Sequence, residues 1–320
     1  MLTIAGVFGI TSVAAATVVV GQTASNPAAE GECEFVVPYD EFQTGVSGGA
    51  SYAAPSAGVI TSWSINQGPG SGSLGLKIFR PLGGDSYLVV GHDGPRALTP
   101  NTLNTFPVSI PVQAGDIVGA AMPAESPSTC TFYTNNPGDT IGFREGLAAD
   151  GETITQEESF STNRLNISAV LLPPPTIAAI SPAAGSIAGT SVVITGANFA
   201  SVTGVSFGAV PAVFAVNSEG QITATAPRSK TLASVPVTVS TVAGIATAPQ
   251  TFYYEGCRVP QLRGKKLKAV KKKLRKSDCK VGKVKKLHDA TAKTGTVEKQ
   301  NPKPGKILVP GTKVKVTLDD

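Results

Sequence analysis

The chain has 320 residues, of which 15% are charged, and it contains 35 Gly and 24 Pro. This length and composition exclude a single large core and leave room for two or three modest domains. The charge is divided unevenly: from Gly256 onward there are 20 Lys and Arg against five Asp and Glu, whereas the part before it carries seven against 17. We therefore expect an acidic front, residues 1–255, and a basic tail, residues 256–320, in one chain.

The N-terminal segment is apolar. Residues 2–20 contain no charge and lead into small and polar residues, which is typical of the apolar part of a secretion signal. Val19 and Gly21 offer small residues at the two positions that a signal peptidase recognises, so cleavage is predicted after Gly21. The run is also just long enough for an uncleaved membrane anchor. We assign residues 1–29 to a signal peptide or N-terminal anchor plus linker, and expect a secreted or cell-envelope-associated, extracytoplasmic protein.

Residues 30–172 alternate short apolar runs with turn residues. Runs of this length, rich in Val, Ile and aromatic residues and separated by Gly, Pro, Asn and Asp, predict antiparallel strands. The runs are GVITSWSI, LGLKIF, YLVVG, FPVSIPV, GDIVGAAM, CTFY, TIGF and LNISAVLL. Eight of them in one region predict a β-sandwich or jelly roll, and VQAGDIVGA is similar to the Gly-Asp turn that enters a late strand of jelly-roll modules.

The first region offers few groups for chemistry. His92 and Asp93 are neighbours in a Gly/Pro turn with no G-x-S-x-G motif beside them, and Glu157 and Glu158 point apart as consecutive residues. The oxygen-rich segment 135–139 lacks the spacing of a calcium loop, so a turn explains it. We predict no catalytic residue, no metal site and no cofactor.

Trp63 is the only tryptophan of the chain and lies in an apolar run. In a sandwich such a residue more often belongs to the core than to a sugar-stacking surface. A glycan contact at Trp63, and with it a carbohydrate-binding first domain, is kept as a hypothesis.

Three prolines follow the first region. Residues 173–175 favour a stiff, extended polyproline conformation and donate no hydrogen bond to a sheet, so they are predicted to link two domains.

Residues 176–255 predict a small all-β sandwich. The patterned runs are SVVITG, GVSFG, AVFAVN, QITATAP and VPVTVST. The order I-x-P-x-x-G, G-T-x-V-x-I-x-G-x-N-F, V-x-F-G, A-P and V-x-V resembles the IPT/TIG family of immunoglobulin-like domains, which implies an interaction or spacer module. Gly196 and Gly208 are expected at tight turns with left-handed backbone.

Residues 256–320 carry most of the lysines. Within 264–276 three apolar residues are spaced i, i+3 and i+7 and predict one buried stripe of a helix: Leu267, Val270 and Leu274. Five cations then lie on the opposite side and are the candidate polyanion-binding residues: Lys265, Lys268, Lys272, Arg275 and Lys276. Lys271 and Lys273 flank the boundary between the two sides.

Three strands are predicted after this helix, in CKVGKVKKL, TGTVEKQ and TKVKVTL, which gives a small α+β domain. The order V-P-x-L-x-G-K-x-L-x-x-A, L-x-x-x-x-C-x-V-G-x-V, G-x-V-x-x-Q-x-P-x-P-G and L-V-P-G-T-x-V-x-V-x-L closely resembles the PASTA domain. The resemblance implies an extracytoplasmic module associated with sensing or binding peptidoglycan, although this chain has one such domain, no kinase and no transpeptidase.

Four cysteines fall as two pairs, each inside one candidate domain, and no C-x-x-C motif or Cys/His cluster is present. Export favours disulfides between Cys33 and Cys130 and between Cys257 and Cys279, although other pairings remain formally open.

These features predict a mainly β, multidomain, non-enzymatic protein of the bacterial envelope. Its basic tail is expected to associate with peptidoglycan or another anionic wall polymer and to present the first domain to surface proteins or glycans. Nucleic acid is not expected as a partner, because the basic region lacks Trp, Tyr and Phe for base stacking and export would separate the protein from nucleic acid. The alternatives are a secreted protein–protein interaction scaffold whose lysines only keep it soluble, or a carbohydrate-binding N-terminal module.

Overall fold

The computed structural model describes residues 17–27, Cys33, 36–287 and 295–319. The predicted signal segment therefore lies largely outside the described residues, as does His288. The described part is built almost entirely of β-strands, with one α-helix. Within it, no helix combines the length and the apolar character needed to cross a membrane.

The chain folds as two compact units whose boundary falls between Pro174 and Pro175, inside the proline run. The first unit contains the predicted β-sandwich. The second contains the immunoglobulin-like region, apart from residues 242–244, and the basic tail, which were predicted as separate domains.

The described part of the first unit contains thirteen strands. They are β1 Val18–Gln22, β2 Tyr39–Gly45, β3 Gly58–Gln67, β4 Ser73–Gly83, β5 Ser86–Ala97, β6 Thr102–Val112, β7 Ile117–Met122, β8 Thr131–Tyr133, β9 Thr140–Glu145, β10 Thr153–Thr155, β11 Glu158–Ser161, β12 Asn163–Leu165 and β13 Ile167–Leu172. Each of the eight predicted runs overlaps a strand, whereas β1, β2, β10, β11 and β12 were not predicted as separate strands.

These strands form a four-stranded sheet in the order β1, β13, β3, β6 and a seven-stranded sheet in the order β10, β5, β4, β7, β2, β9, β11. A small sheet pairs β12 with β8. Every pairing between the strands is antiparallel. Residues of both large sheets contribute to one apolar core that includes Ile60, Trp63, Leu76 and Val118, which agrees with the predicted sandwich.

Strand β1 overlaps the segment predicted as a secretion signal. Its five residues pair in register with β13, from Val18 opposite Leu171 to Gln22 opposite Ile167. Val20 is 1% exposed and belongs to the core of the first domain. Cleavage after Gly21 would remove four of these residues, so the predicted cleavage position is incompatible with this strand.

The second unit begins with the immunoglobulin-like region. Its strands are β14 Thr176–Ser181, β15 Ala184–Ser186, β16 Ser191–Ala197, β17 Val202–Phe207, β18 Val210–Pro211, β19 Val213–Ser218, β20 Gln221–Thr225, β21 Ser234–Val235, β22 Val237–Thr241, β23 Gly244–Thr247 and β24 Phe252–Glu255. They form sheets in the orders β14, β16, β20, β19; β15, β24, β21; and β18, β17, β22, β23. The sheets share one core around Val192, Phe199, Phe207 and Phe252.

The two glycines singled out in this region have different roles. Gly208 has a φ of 62°, as expected for a left-handed turn residue. Gly196 does not have a left-handed backbone; a Cβ there would overlap the backbone oxygen of Thr176. The prediction of a left-handed turn at Gly196 is therefore wrong, and the close approach of strand β14 explains this glycine instead.

The basic tail forms a small α+β fold. It comprises β25 Cys257–Arg258, α1 Leu267–Lys276, β26 Lys280–Lys286, β27 Thr296–Asn301, β28 Ile307–Leu308 and β29 Lys313–Asp319. The central strand β29 pairs parallel with β26 and antiparallel with β27. The predicted helix and all three predicted strands are present.

A single residue, Gly256, separates the immunoglobulin-like region from the tail. A Cβ at this position would lie 2.8 Å from the side chain of Leu232 and 2.8 Å from the backbone oxygen of Leu308. Ile307 of the tail packs against the immunoglobulin-like core. The two regions therefore contact each other closely within one compact unit.

We expect the mature protein to retain β1. Loss of Val20 would remove a buried side chain that stabilises the fold by roughly 1.5–3 kcal/mol and would expose the edge of β13. Ala14 and Ala16 offer small residues at the two recognised positions upstream. Mass spectrometry of the protein recovered from the culture medium or envelope should give an N-terminus no later than Thr17, whereas a protein beginning at Gln22 would contradict this placement.

Candidate functional site

Helix α1 separates its apolar and cationic residues onto two sides. Val270 and Leu274 are 0% and 1% exposed, and Leu267 packs against the same core from a half-buried position. The predicted buried stripe is therefore present. All five candidate cations are exposed: Lys265, Lys268, Lys272, Arg275 and Lys276.

Four of these cations lie in α1, whose ten residues span about 15 Å, and their spacing places them on one side of the helix. Lys265 precedes the helix, so the prediction that it lies on the helix face is wrong. Lys268, Lys272 and Arg275 follow each other at i, i+4 and i+7, which brings their side chains into one row. A row of like charges is unfavourable for an isolated helix, so the apolar contacts on the other side must stabilise it. The row can instead be neutralised by an anionic polymer.

The charge distribution along the helix is also one-sided. The first turn contains no acidic residue, and Lys273, Arg275 and Lys276 lie in the last turn, where cations interact favourably with the helix dipole. Among the described residues, no carboxylate forms an ion pair with any of the five candidate cations. Their charge is therefore available to an external partner.

Strand β26 extends the basic surface beyond the five predicted cations. This strand packs beside α1 and exposes four lysines: Lys280, Lys283, Lys285 and Lys286. The alternation of lysine with Val281 and Val284 indicated a strand, but only the fold shows that the strand adjoins the helix.

The Cys257–Cys279 disulfide connects this surface to the rest of the tail. The Cα atoms of the two residues lie 4.8 Å apart, within the usual range for a disulfide. Cys257 starts β25, and Cys279 follows the end of α1, so the bond fixes the C-terminal end of the helix to the strand beside the immunoglobulin-like region.

In the first domain, Trp63 is completely buried. Its Nε1 donates a hydrogen bond of 2.8 Å to Asp93, and its ring packs 4.7 Å from the ring of Phe106, centroid to centroid. This position agrees with the interpretation as a core residue. It leaves no ring face open to a sugar, so a glycan contact at Trp63 does not fit the structure.

His92 and Asp93 lie in strand β5 and not in the predicted Gly/Pro turn, and they do not act together. His92 pairs through Nδ1 with Asp150 at 2.7 Å, whereas Arg96 donates to Asp93. The hydrogen bonds from Arg96 and Trp63 hold the pKa of Asp93 below its usual value. Asp93 is therefore a structural carboxylate that orients Trp63.

The oxygen-rich segment 135–139 is likewise structural. The side chain of Asp139 accepts a hydrogen bond of 2.9 Å from Arg164 and another from the Ser47 backbone. Burial alone would raise the pKa of Asp139, but these hydrogen bonds outweigh burial and lower the pKa below its usual value. A guanidinium thus occupies the place that a cation would need.

A second buried carboxylate lies beside the other disulfide. The Cys33–Cys130 bond has a Cα separation of 5.7 Å, and a carboxylate oxygen of Glu41 lies within 4.8 Å of both sulfur atoms. Glu41 is 5% exposed, and burial raises its pKa to about 8. Because the two sulfurs are bonded to each other, these three residues do not form a metal ligand set.

The immunoglobulin-like region carries a shallow apolar groove of about 440 Å³. Its lining includes Ala188, Pro211, Val213 and Arg228. Val213 belongs to β19, an edge strand of its sheet, and is 81% exposed. An exposed apolar edge of this kind is suited to contact with another protein.

Comparison with known families identifies the two C-terminal regions. Residues 175–254 match the model of the IPT/TIG domain, and residues 258–320 match the model of the PASTA domain. Both resemblances noted in the sequence are confirmed. No curated protein matches the chain.

Several solved structures are weakly similar. One is SGBP-B from a complex xyloglucan utilization locus in Bacteroides uniformis, with 14% identity, 64% of this chain and 51% of that chain covered, and a TM-score of 0.24. Two come from Bacteroides thetaiotaomicron: a putative phosphatase with 24% identity, 28% and 21% coverage and a TM-score of 0.23, and an auxiliary nutrient binding protein with 18% identity, 28% and 24% coverage and a TM-score of 0.22. The chain spans only about a fifth to a half of these structures, and scores this low support no functional argument.

We expect the Cys257–Cys279 bond to stabilise the tail. Replacing both cysteines by Ala should lower the free energy of unfolding of this region by roughly 3 kcal/mol, because a loop with a sequence separation of 22 is released. Hydrogen exchange followed by mass spectrometry should show faster exchange in residues 267–276. Exchange in β3 serves as the internal control, and unchanged protection of the helix would contradict the prediction.

We expect Glu41 to make the stability of the first domain depend on pH. Its pKa is about 8 in the folded chain against 4.5 for the ordinary carboxyl group, so its folded form is protonated at neutral pH. The contribution of the protonated Glu41 carboxyl group to the free energy of unfolding is complete below about pH 4.5 and is lost as the pH rises towards 8. At pH 7 the free energy of unfolding is lower by on the order of 3 kcal/mol.

Urea unfolding followed by the fluorescence of Trp63 measures this domain alone, since it holds the only tryptophan. Glu41→Gln should reduce the fall in stability between pH 5 and 8. Glu158→Gln, an exposed carboxylate on β11, is the control and should leave the pH profile unchanged. A profile that is the same in wild type and Glu41→Gln would contradict the assignment.

Proposed function

We propose that the protein is an exported component of a bacterial cell envelope that binds an anionic wall polymer through its PASTA domain. The observation that carries the proposal is the row of unpaired, exposed cations on α1, whose other side is buried in the core of the domain. The role of the protein is binding and presentation, and no catalytic step is part of the proposal.

The ligand is proposed to be peptidoglycan or a polymer attached to it. The carboxylates of peptide stems and the phosphates of teichoic acids both carry repeated negative charge at intervals that several lysines can contact. Attraction of this kind acts over about 8 Å at physiological ionic strength and over about 3 Å in 1 M salt. The adjoining lysines of β26 enlarge the surface that such a polymer contacts.

The uneven charge of the chain supports an orientation. The basic tail, with 20 cations against five acids, is proposed to face the wall, while the acidic front faces away from it. The two disulfides support an extracytoplasmic location, since such bonds persist in oxidising compartments.

A second candidate is an interaction scaffold that does not bind the wall. The apolar groove beside β19 and the exposed Val213 favour it, because they offer a surface to a protein partner. In that case the lysines serve only solubility. Salt-sensitive retention on purified cell walls distinguishes the two functions.

We expect the full chain to be retained on purified cell walls at low salt and released as salt rises. The triple variant Lys268→Gln, Lys272→Gln, Arg275→Gln keeps residues of good helix propensity. Each cation near an anionic surface contributes about 1 kcal/mol, so the variant should bind roughly 100-fold more weakly. Deletion of residues 257–320 should abolish retention.

The matched control is Lys230→Gln, Lys303→Gln, Lys306→Gln, which removes the same charge at exposed positions outside the helix. It should bind almost as tightly as the wild type. Equal weakening by both triple variants would show attraction by net charge and contradict a specific role for α1. Absence of wild-type retention at low salt would exclude wall binding and favour the scaffold.

A further inference from the structure

The first domain contains a charged pair that the proposed function does not use. Lys77 of β4 is 2% exposed and Asp40 of β2 is fully buried. The Nζ atom of Lys77 lies 2.6 Å from Oδ1 of Asp40. Lysine is one of the residues least often buried, so this placement calls for an explanation in terms of chemistry.

The sheet brings the two residues together across an intervening strand. Strand β7 lies between β2 and β4; Asp40 is opposite Ala121, and Lys77 is opposite Gly119. Opposite residues of antiparallel strands point to the same face, so both side chains lie on one face of the sheet. The side chain of Lys77 therefore reaches Asp40 across β7.

The backbone of Ala148 holds both reacting groups. Its N–H donates a hydrogen bond of 2.9 Å to Oδ2 of Asp40, and its carbonyl oxygen accepts one of 2.8 Å from Nζ of Lys77. Ala148 is itself 5% exposed and covers the pair. The carboxyl group is thus polarised at one oxygen while the amine is held against the other.

The surroundings disfavour the charged form of the Asp40 carboxyl group. Burial raises the pKa of Asp40, although the hydrogen bond from Lys77 opposes this effect. Transfer of one proton from the ammonium to the carboxylate removes both buried charges, which a site of low polarity otherwise disfavours. A desolvated neutral lysine is a nucleophile, and contact between two reacting groups replaces a bimolecular encounter.

We propose that Lys77 and Asp40 condense to an amide, so that the mature first domain contains an internal covalent cross-link between β2 and β4. The lone pair of Nζ attacks Cγ of Asp40 and forms the C–N bond. Oδ1 receives two protons that Nζ loses and leaves as water when the Cγ–Oδ1 bond breaks. Oδ2 remains as the amide oxygen on the N–H of Ala148, and no oxidant, reductant or cofactor is consumed.

Another ion pair of the same domain provides an internal comparison. Arg164 and Asp139 are also buried and lie 2.9 Å apart. A guanidinium stays protonated in proteins and is no nucleophile, so this pair remains ionic. The difference between the two sites is the amine of Lys77.

The test is the mass of the full-length protein after reduction of both disulfides. We expect the wild type to be lighter than its processed sequence by one water molecule. The chain before Lys77 contains no Lys or Arg, so trypsin leaves Asp40 and Lys77 on one peptide, which should be lighter by one water molecule and uncleaved after Lys77. Further digestion with chymotrypsin, which cleaves after aromatic residues between the two positions, should yield one branched peptide that joins the segment containing Asp40 to the segment containing Lys77. Fragmentation of this peptide in the mass spectrometer locates the bond without any variant.

The variant Lys77→Arg keeps the charge and should show the full mass. Lys299→Arg replaces an exposed lysine 3.3 Å from Glu298 and is the matched control, which should still lack one water. The buried Trp63 reports whether each variant is folded. A wild-type mass equal to the sequence, a loss of water located at another residue, or a loss that persists in Lys77→Arg would each overturn the proposal. None of these outcomes depends on wall binding.

Discussion

The burial of Val270 and Leu274 is the constraint on which the proposed function of the tail depends. The PASTA domain has few apolar residues, and those two join Val259, Leu262 and the β29 valines in its core. One side of α1 must therefore face inward, which leaves its many cations no position except the surface. The Cys257–Cys279 bond supports this arrangement, because a domain of this size buries only ~60% of the surface that its unfolded chain exposes. The spacing of apolar residues in α1 thus produces both the apolar contacts that stabilise the domain and the cationic surface.

Much of the fold could be predicted from the sequence because apolar residues alternate clearly in most strands. The exceptions have physical reasons. Strand β1 has the composition of a secretion signal, and only its pairing with β13 shows that it belongs to the first domain. Strand β2 reads YDEFQTG, and its polar residues are buried together with Tyr39 and Phe42. Because Asp40, Glu41 and Gln43 have partners or a raised pKa that depend on distant segments, no local pattern marks this strand.

The candidate sites also differ in whether neighbouring residues in the sequence reveal them. The cationic row on α1 follows from the spacing of neighbouring residues, so the sequence was sufficient to select it. Asp40 and Lys77 are separated by 37 positions and meet across a third strand, which local spacing does not reveal. The one available sign was a lysine within the run LGLKIF, where a strand buried on both faces should be apolar. The lysines of β26 became part of the surface only through the packing of that strand beside α1.

The junction at Gly256 has a mechanical consequence. A flexible linker would let the tail rotate relative to the IPT/TIG domain. Here a single glycine joins β24 to β25, and Ile307 of the tail packs against the core of the IPT/TIG domain. If the tail is bound to the wall, the IPT/TIG domain would therefore be held in a fixed orientation relative to the tail. A pulling force on the chain would be transmitted to β24 directly through the backbone. Bending between these two domains is not expected.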